Sequence, residues 1–352
     1  MNWTRYLRTW EFALVVLLVV EILILGMINP TFLNAENLLY ATLDFTHILF
    51  AALPLTLVII TAGIDISSVS VMGLASITLG LAWVAGINIF VALAIALLVG
   101  IIAGLFNGFF VAKTDVNPLV ITLGTLFMFA GIAQGMPALL DLLGFKAYGS
   151  AGLAAYQYEG ITGLPDNFIG LSEATVWIIP YPFIAVLIFA VILSLLLHKT
   201  RFGRYLYLIG VNPKAAVYSG VPVQKTLVWA YVLSGFGAAL AGSYLTAYFT
   251  SARADLGGDA LLPIITAVVL GGADILGGSG TIWGTLLAGL VLGFLRQGLL
   301  AIGVTNDLIQ VVMGAVLVTA MAVKQLMNVY GEYRLNRKAL ANKERGDNQE
   351  RY

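Results

Sequence analysis

The chain has 352 residues, 60% of them hydrophobic and only 10% charged, with mean hydropathy +0.96 and formal net charge +0 at pH 7. Soluble domains carry closer to a quarter charged residues, so this is the composition of an all-α, polytopic membrane protein, and the neutral balance excludes a nucleic-acid-binding surface. Cysteine is absent, which excludes disulfides and cysteine-based metal sites, while 38 glycines suit close helix packing in lipid.

The first apolar run, from Phe12 to Ile28, is long, contains Glu21 and lacks a small-residue cleavage site, so it reads as a retained span rather than a signal peptide. A helix needs roughly 20 apolar residues to cross a bilayer. On that ruler about ten spans follow, near 11–28, 38–62, 70–86, 88–112, 118–136, 176–197, 226–249, 260–273, 282–302 and 306–325. The second carries Pro54 and the eighth is short with Pro263 near its start, so both are expected to be broken or partial. With both termini cytoplasmic, Arg5, Arg8, Lys113, Lys199, Arg201, Arg204, Lys214, Lys225, Lys324 and the 326–352 tail all lie inside, as the positive-inside rule asks. The opposite face keeps Lys146 and Arg253, with Arg296 near the outer end of a span, and its long loop 137–175 is acidic. No stretch is large and polar enough for a soluble domain, so residues 1–352 are expected to form a single transmembrane unit.

Charge inside a membrane is costly and commonly functional. Glu21, Asp44, His47 and Asp65 are such groups, with Asn107 as a neutral addition. His47 reads as a packed or hydrogen-bonded histidine rather than a proton relay. Asp65 stands in "AGIDISS", where hydroxyls cluster; it either caps a helix start at Ser67 or Ser68 or belongs to a translocation path. Asn117 opens the fifth span, and Thr122 and Thr125 follow one turn apart on a shared face. Asp65, Ser67, Asn107, Asn117, Thr122 and Thr125 are therefore the candidate pathway residues. Hydroxyls and amides suit a neutral polyhydroxylated ligand, which needs hydrogen bonds but no counter-charge. Gly100, Gly104 and Gly108 recur at intervals of four, a ridge for close helix contact, and Ser234, Ala238 and Gly242 offer a similar face.

Between the sixth and seventh spans lies a basic loop, 198–225. Its core, "GVNPKAAVYSGV", begins at Gly210 and has the grammar of a short isolated helix. Asn212 can cap the first turn, Pro213 fits the first helical position, and Gly220 supplies a left-handed stop. About two turns are too few to stand alone in water. Ala215, Ala216 and Ser219 make a small-residue patch that would let the helix seat in a groove. The loop is either a connector that enforces topology or a docking element for a cytosolic partner. Further on, "GGADILGGSGTIWG" lacks the spacing and the strand context of a dinucleotide site and reads as a glycine-rich turn. No G-x-x-x-x-G-K-[ST] occurs, so any ATP that drives this chain is bound by another.

"TRFGRYLYLIGVNPKAAVYSGV", "GIDISSVSVMG", "NPLVITLGTL" and "AVVLGGADILGGSGTIWG" together resemble, in order and over nearly the whole chain, the ribose-type permeases of ATP-binding-cassette importers. Within that family "HKTRFGR", "YFTSARADLG" and "LPIITAVVLGGADILGGSG" resemble the permease subunits of autoinducer-2 importers. The resemblance implies that Gly210, Asn212, Pro213, Ala215, Ala216, Ser219 and Gly220 couple the membrane spans to an ATPase. It also implies a bacterial inner-membrane location, two ATPase subunits that bind ATP and Mg, a periplasmic substrate-binding protein, and no cofactor on this chain. Ala62 and Val69 stand where the family usually has glycine, Leu261 where many relatives have glutamate, and Ser279 is a further departure. Those departures suit one half of a heteromeric permease pair. Autoinducer-2 is the expected cargo, with ribose or another monosaccharide next; an ion-gradient transporter is the rival class. Two histidines and no metal-spaced cluster argue against a membrane enzyme.

Overall fold

The computed structural model describes residues 10–142 and 160–322; Arg5, Arg8, Lys146, Lys324 and the 326–352 tail, all part of the expected charge pattern, lie outside the described residues. The described chain is mainly helical, its one sheet a short hairpin, and seven of its segments are long and apolar enough to cross a membrane. They are α1 (Trp10–Ile28); a composite of α2 (Ala35–Ala41), a 3-10 turn (Thr42–Phe45) and α3 (Thr46–Ile60); α5 (Ile89–Lys113); α6 (Pro118–Leu142); α8 (Tyr181–Lys199); α11 (Val223–Tyr248); and α13 (Ile282–Ala301). Three shorter apolar helices occupy the other expected positions: α4 (Ser68–Val84), α12 (Leu261–Leu270) and α14 (Asn306–Ala322). The amphipathic pieces are α7 (Asp166–Glu173), α9 (Arg201–Val211) and α10 (Pro213–Tyr218).

The bundle is organised around α3 and α11. Every residue of α3 is buried, and α11 packs along α5, α3 and α4. Lipid supplies no hydrophobic drive between helices, so close backbone approach has to do that work. Small residues of α11 permit it on three sides. A Cβ on Gly235 would lie 2.2 Å from the Gly100 carbonyl of α5, one on Gly237 2.4 Å from the Pro54 ring of α3, and one on Gly242 2.1 Å from the Met72 carbonyl of α4. The α5 ridge meets α11 along its length: a Cβ at Gly100 would strike Ala239 and Gly235, at Gly104 the Tyr231 carbonyl at 2.2 Å, and at Gly108 the Val228 Cα at 2.8 Å. By contrast α1 packs against α13, with Leu25 over Gly298, and leaves most of its apolar side chains exposed, the pattern of a helix that faces lipid.

Two expected features differ. The second span is not broken at Pro54, because the proline ring fills the notch over Gly237 and the helix runs through it; the irregularity lies earlier, at the 3-10 turn Thr42–Phe45. The sixth span begins not near 176 but at Tyr181. Before it a two-residue antiparallel hairpin pairs Thr175 with Pro180 and Val176 with Ile179, and the Pro180 and Pro182 pair then starts the helix.

Candidate functional site

On one face of the bundle α9 and α10 form the basic loop. The Asn212 side chain accepts the Ala215 N–H at 3.0 Å, Pro213 takes the first helical position, and Gly220 ends the turn at φ +77°. Ser219 donates to the Ala215 carbonyl. Ala216 points inward, buried with Ile209 and Val221, so it holds the loop to itself rather than offering a notch. Val217 and Tyr218 are exposed instead, Tyr218 to 92%.

Gly210 has a different place. A Cβ there would lie 1.9 Å from the Ile60 carbonyl and 2.3 Å from the Gly278 nitrogen. Gly278 N–H donates to Ile60 C=O at 2.8 Å, and Tyr207 Oη donates to the Gly280 carbonyl at 2.8 Å. Burial raises the Tyr207 phenol above its ordinary value, so it stays a donor. The basic loop, the end of α3 and the glycine-rich turn before α13 thus meet backbone to backbone. Ala62, beside this joint, sits at φ +62°, a left-handed conformation that glycine adopts without strain.

Just inside the joint, the unwound segment between α3 and α4 carries Asp65. One carboxylate oxygen accepts the Ser67 N–H (3.1 Å) and hydroxyl (2.6 Å); the other accepts the Ser234 hydroxyl of α11 at 2.8 Å. Asn107 of α5 donates to Ser67 Oγ at 2.7 Å. All four residues are buried. Thr122 of α6 donates to the Ile64 carbonyl and Thr125 to the Thr122 carbonyl. Five of the six candidate pathway residues therefore gather at one crossing of α4, α5, α6 and α11, as a knot without solvent access. Asn117 stands apart: exposed, it caps α6 by accepting the Leu119 N–H at 2.9 Å. Ser234 belongs to the knot although its only sequence signal was a small-residue face.

The opposite face holds a cavity of about 550 Å³, lined among others by Asp44, His47, Tyr248, Arg253, Arg296 and Gln297. Asp44 accepts from Tyr248 Oη and from the Gln297 amide. Arg253 chelates Asp255 through two nitrogens, at 2.9 and 2.6 Å, which holds the Asp255 carboxyl below its ordinary range. Tyr248 and Gln297 carried no expectation from the sequence, and Arg253 only a place on this face, since each is polar in a helix end or loop where water contact is ordinary.

Membrane-length helices around a glycine-lined core, one helix of half height, a basic loop on one face and a polar cavity on the other are the organisation of a membrane transport protein. Residues 37–321 match the family model described as the permease component of the branched-chain amino acid transport system, and the chain belongs to that family. It is 46% identical over 312 residues to the autoinducer 2 import system permease protein LsrD of Photorhabdus temperata, covering 89% of this chain and 90% of that one. The protein of that name from Salmonella typhi is 46% identical over 319 residues, 91% and 92% of the two chains, and that of Escherichia coli strain SMS-3-5 is 46% identical over 312 residues, 89% and 91%. The chain is a non-catalytic permease subunit of a transporter.

Proposed function

We propose that this chain is one membrane half of an ATP-driven importer that moves autoinducer-2, a small sugar-like signal, from periplasm to cytoplasm. The observation that carries the reading is the end-to-end similarity to permeases named for that import system, at 46% identity over about nine-tenths of both chains. In this reading ten membrane segments return both termini to the cytoplasm, in the bacterial inner membrane. The partners are a second, non-identical permease, two ATPase subunits that hold ATP and Mg, and a periplasmic binding protein. Residues 198–225 dock on the ATPase through α10, and the backbone joint at Gly210 carries the motion to α3 and the glycine-rich turn. The inward-facing Ala216 shifts the docking face to Ala215, Val217, Tyr218 and Ser219. The buried knot around Asp65 then braces the crossing of four helices rather than contacting cargo.

The test is co-purification in mild detergent followed by uptake. Wild type is expected to bring down a second permease and an ATPase and to support ATP-dependent accumulation of autoinducer-2. Gly220→Trp combines a strained left-handed position with added bulk on the docking face, and is expected to lose the ATPase. Recovery of the chain alone, with uptake that follows a proton or sodium gradient, would replace this reading with a secondary transporter.

A further inference from the structure

The cavity on the face opposite α10 has features that packing does not explain. Four chain segments converge on it: the 3-10 turn with the start of α3, the last turn of α11, the 253–260 segment before α12, and the end of α13. Both α3 and α11 have their other ends at the basic loop. The 26 residues of α11 therefore put about 40 Å between the cavity and that loop. The cavity is also deep. Helix α12 has only 10 residues and rises about 15 Å, half of a roughly 30 Å hydrocarbon layer, before it reaches the glycine-rich turn beside Trp10. The residues just before its start, Gly258 to Ala260, line the cavity.

The lining mixes polar and apolar groups, is nearly balanced in charge, and is incompletely satisfied. Asp44, Asp255 and Asp259 face Arg253 and Arg296, and Arg253 is already held by Asp255. The buried His47 side chain has no hydrogen-bond partner for Nδ1. Asp44 holds two neutral donors, which leaves acceptor positions for adjacent hydroxyls. Tyr248 and Phe249 meet edge to face, centroids 5.3 Å apart, and Phe249 is half exposed. Such an aromatic corner accepts the C–H face of a small ring. A strongly anionic ligand meets three carboxylates here; a neutral polyol meets hydrogen-bond partners and brings no charge of its own into the cavity.

We infer that this cavity is a recognition site for a small, neutral, polyhydroxylated ligand, entered from the face opposite the basic loop, with Asp44, His47, Tyr248 and Gln297 making the polar contacts. The inference deepens the importer reading, on which it rests for the direction of entry, and it assigns the contacts that the sequence placed at Asp65 and its neighbours to a different set.

Because the native chain has no cysteine, Phe249→Cys gives a single reporter on the cavity wall. In the assembled transporter in membrane vesicles, its reaction with an impermeant maleimide is timed with autoinducer-2, ribose, ribose 5-phosphate or leucine present. Slowing by at least threefold with autoinducer-2 or ribose, and none with the phosphate or leucine, is expected. In parallel, Tyr248→Phe and Gln297→Ala are expected to raise the KM of uptake about tenfold, with recovery of the complex as the folding control. Protection by leucine alone, or unchanged labelling with all four together with unchanged KM in both variants, overturns the inference. If ribose protects while wild type accumulates no autoinducer-2, the cavity assignment stands and the cargo reading falls.

Discussion

Asp65 illustrates how an intramembrane acid is made tolerable. Its two oxygens accept three hydrogen bonds from Ser67 and Ser234, and Asn107 orients the Ser67 hydroxyl. A buried carboxylate deprived of one partner costs about 1–3 kcal/mol. Ser234→Ala is therefore expected to lower the midpoint of thermal unfolding in detergent, by several degrees, without changing the selectivity of uptake. An unchanged midpoint would mean that Ser234 does not hold Asp65. Asn117 makes the complementary point: the same residue type that looked like a ligand group in the fifth span satisfies a helix N-terminus instead.

Among the elements, α10 and its joint divide two tasks that a sequence motif merges. Ala216 lies against Ile209 and Val221, so Ala216→Glu buries a charge and is expected to unseat the loop, with loss of expression as well as of ATPase binding. Tyr218→Glu, at a 92% exposed position, is expected to leave expression intact and weaken only ATPase capture, measured by co-purification. Equal expression of the two variants would contradict the burial of Ala216. Gly210 sits where two backbones meet, with no flexible side chain to move aside. Gly210→Val is expected to separate α9 from the glycine-rich turn. The readout is ATP hydrolysis no longer stimulated by the loaded binding protein, and normal stimulation would refute the joint as a transmission point.

For the whole molecule, orientation is the claim that charge alone supports. The proposed topology, ten segments with both ends inside, places Lys214 and Asp259 on opposite sides of the membrane. Single-cysteine variants at these two positions are expected to react with an impermeant maleimide only in inverted vesicles for Lys214→Cys and only in intact cells for Asp259→Cys. Same-side labelling would overturn the topology. The α5–α11 contact sets the assembly's stability at this scale: Gly104→Leu places a side chain where the Tyr231 carbonyl is 2.2 Å from a Cβ, and is expected to abolish recovery of folded chain.

Much of this protein is legible in its residues alone, because each feature rests on local chemistry. Apolar segments of bilayer length, the Asn212–Pro213 start and Gly220 stop of α10, and the four-residue spacing of Gly100, Gly104 and Gly108 need no knowledge of neighbours. Which polar group serves which end was not legible in that way. Asp44 and Gln297 are 253 positions apart, Asp65 and Ser234 169, and Gly210 meets Ile60 and Gly278, both far from it along the chain. Hydrogen bonds and backbone contacts act over a few ångströms in space and carry no period along the chain. Only the packed bundle decided that Asp65 and its neighbours form a closed brace, that Ala216 faces inward, and that a cavity with polar walls opens on the face opposite the basic loop.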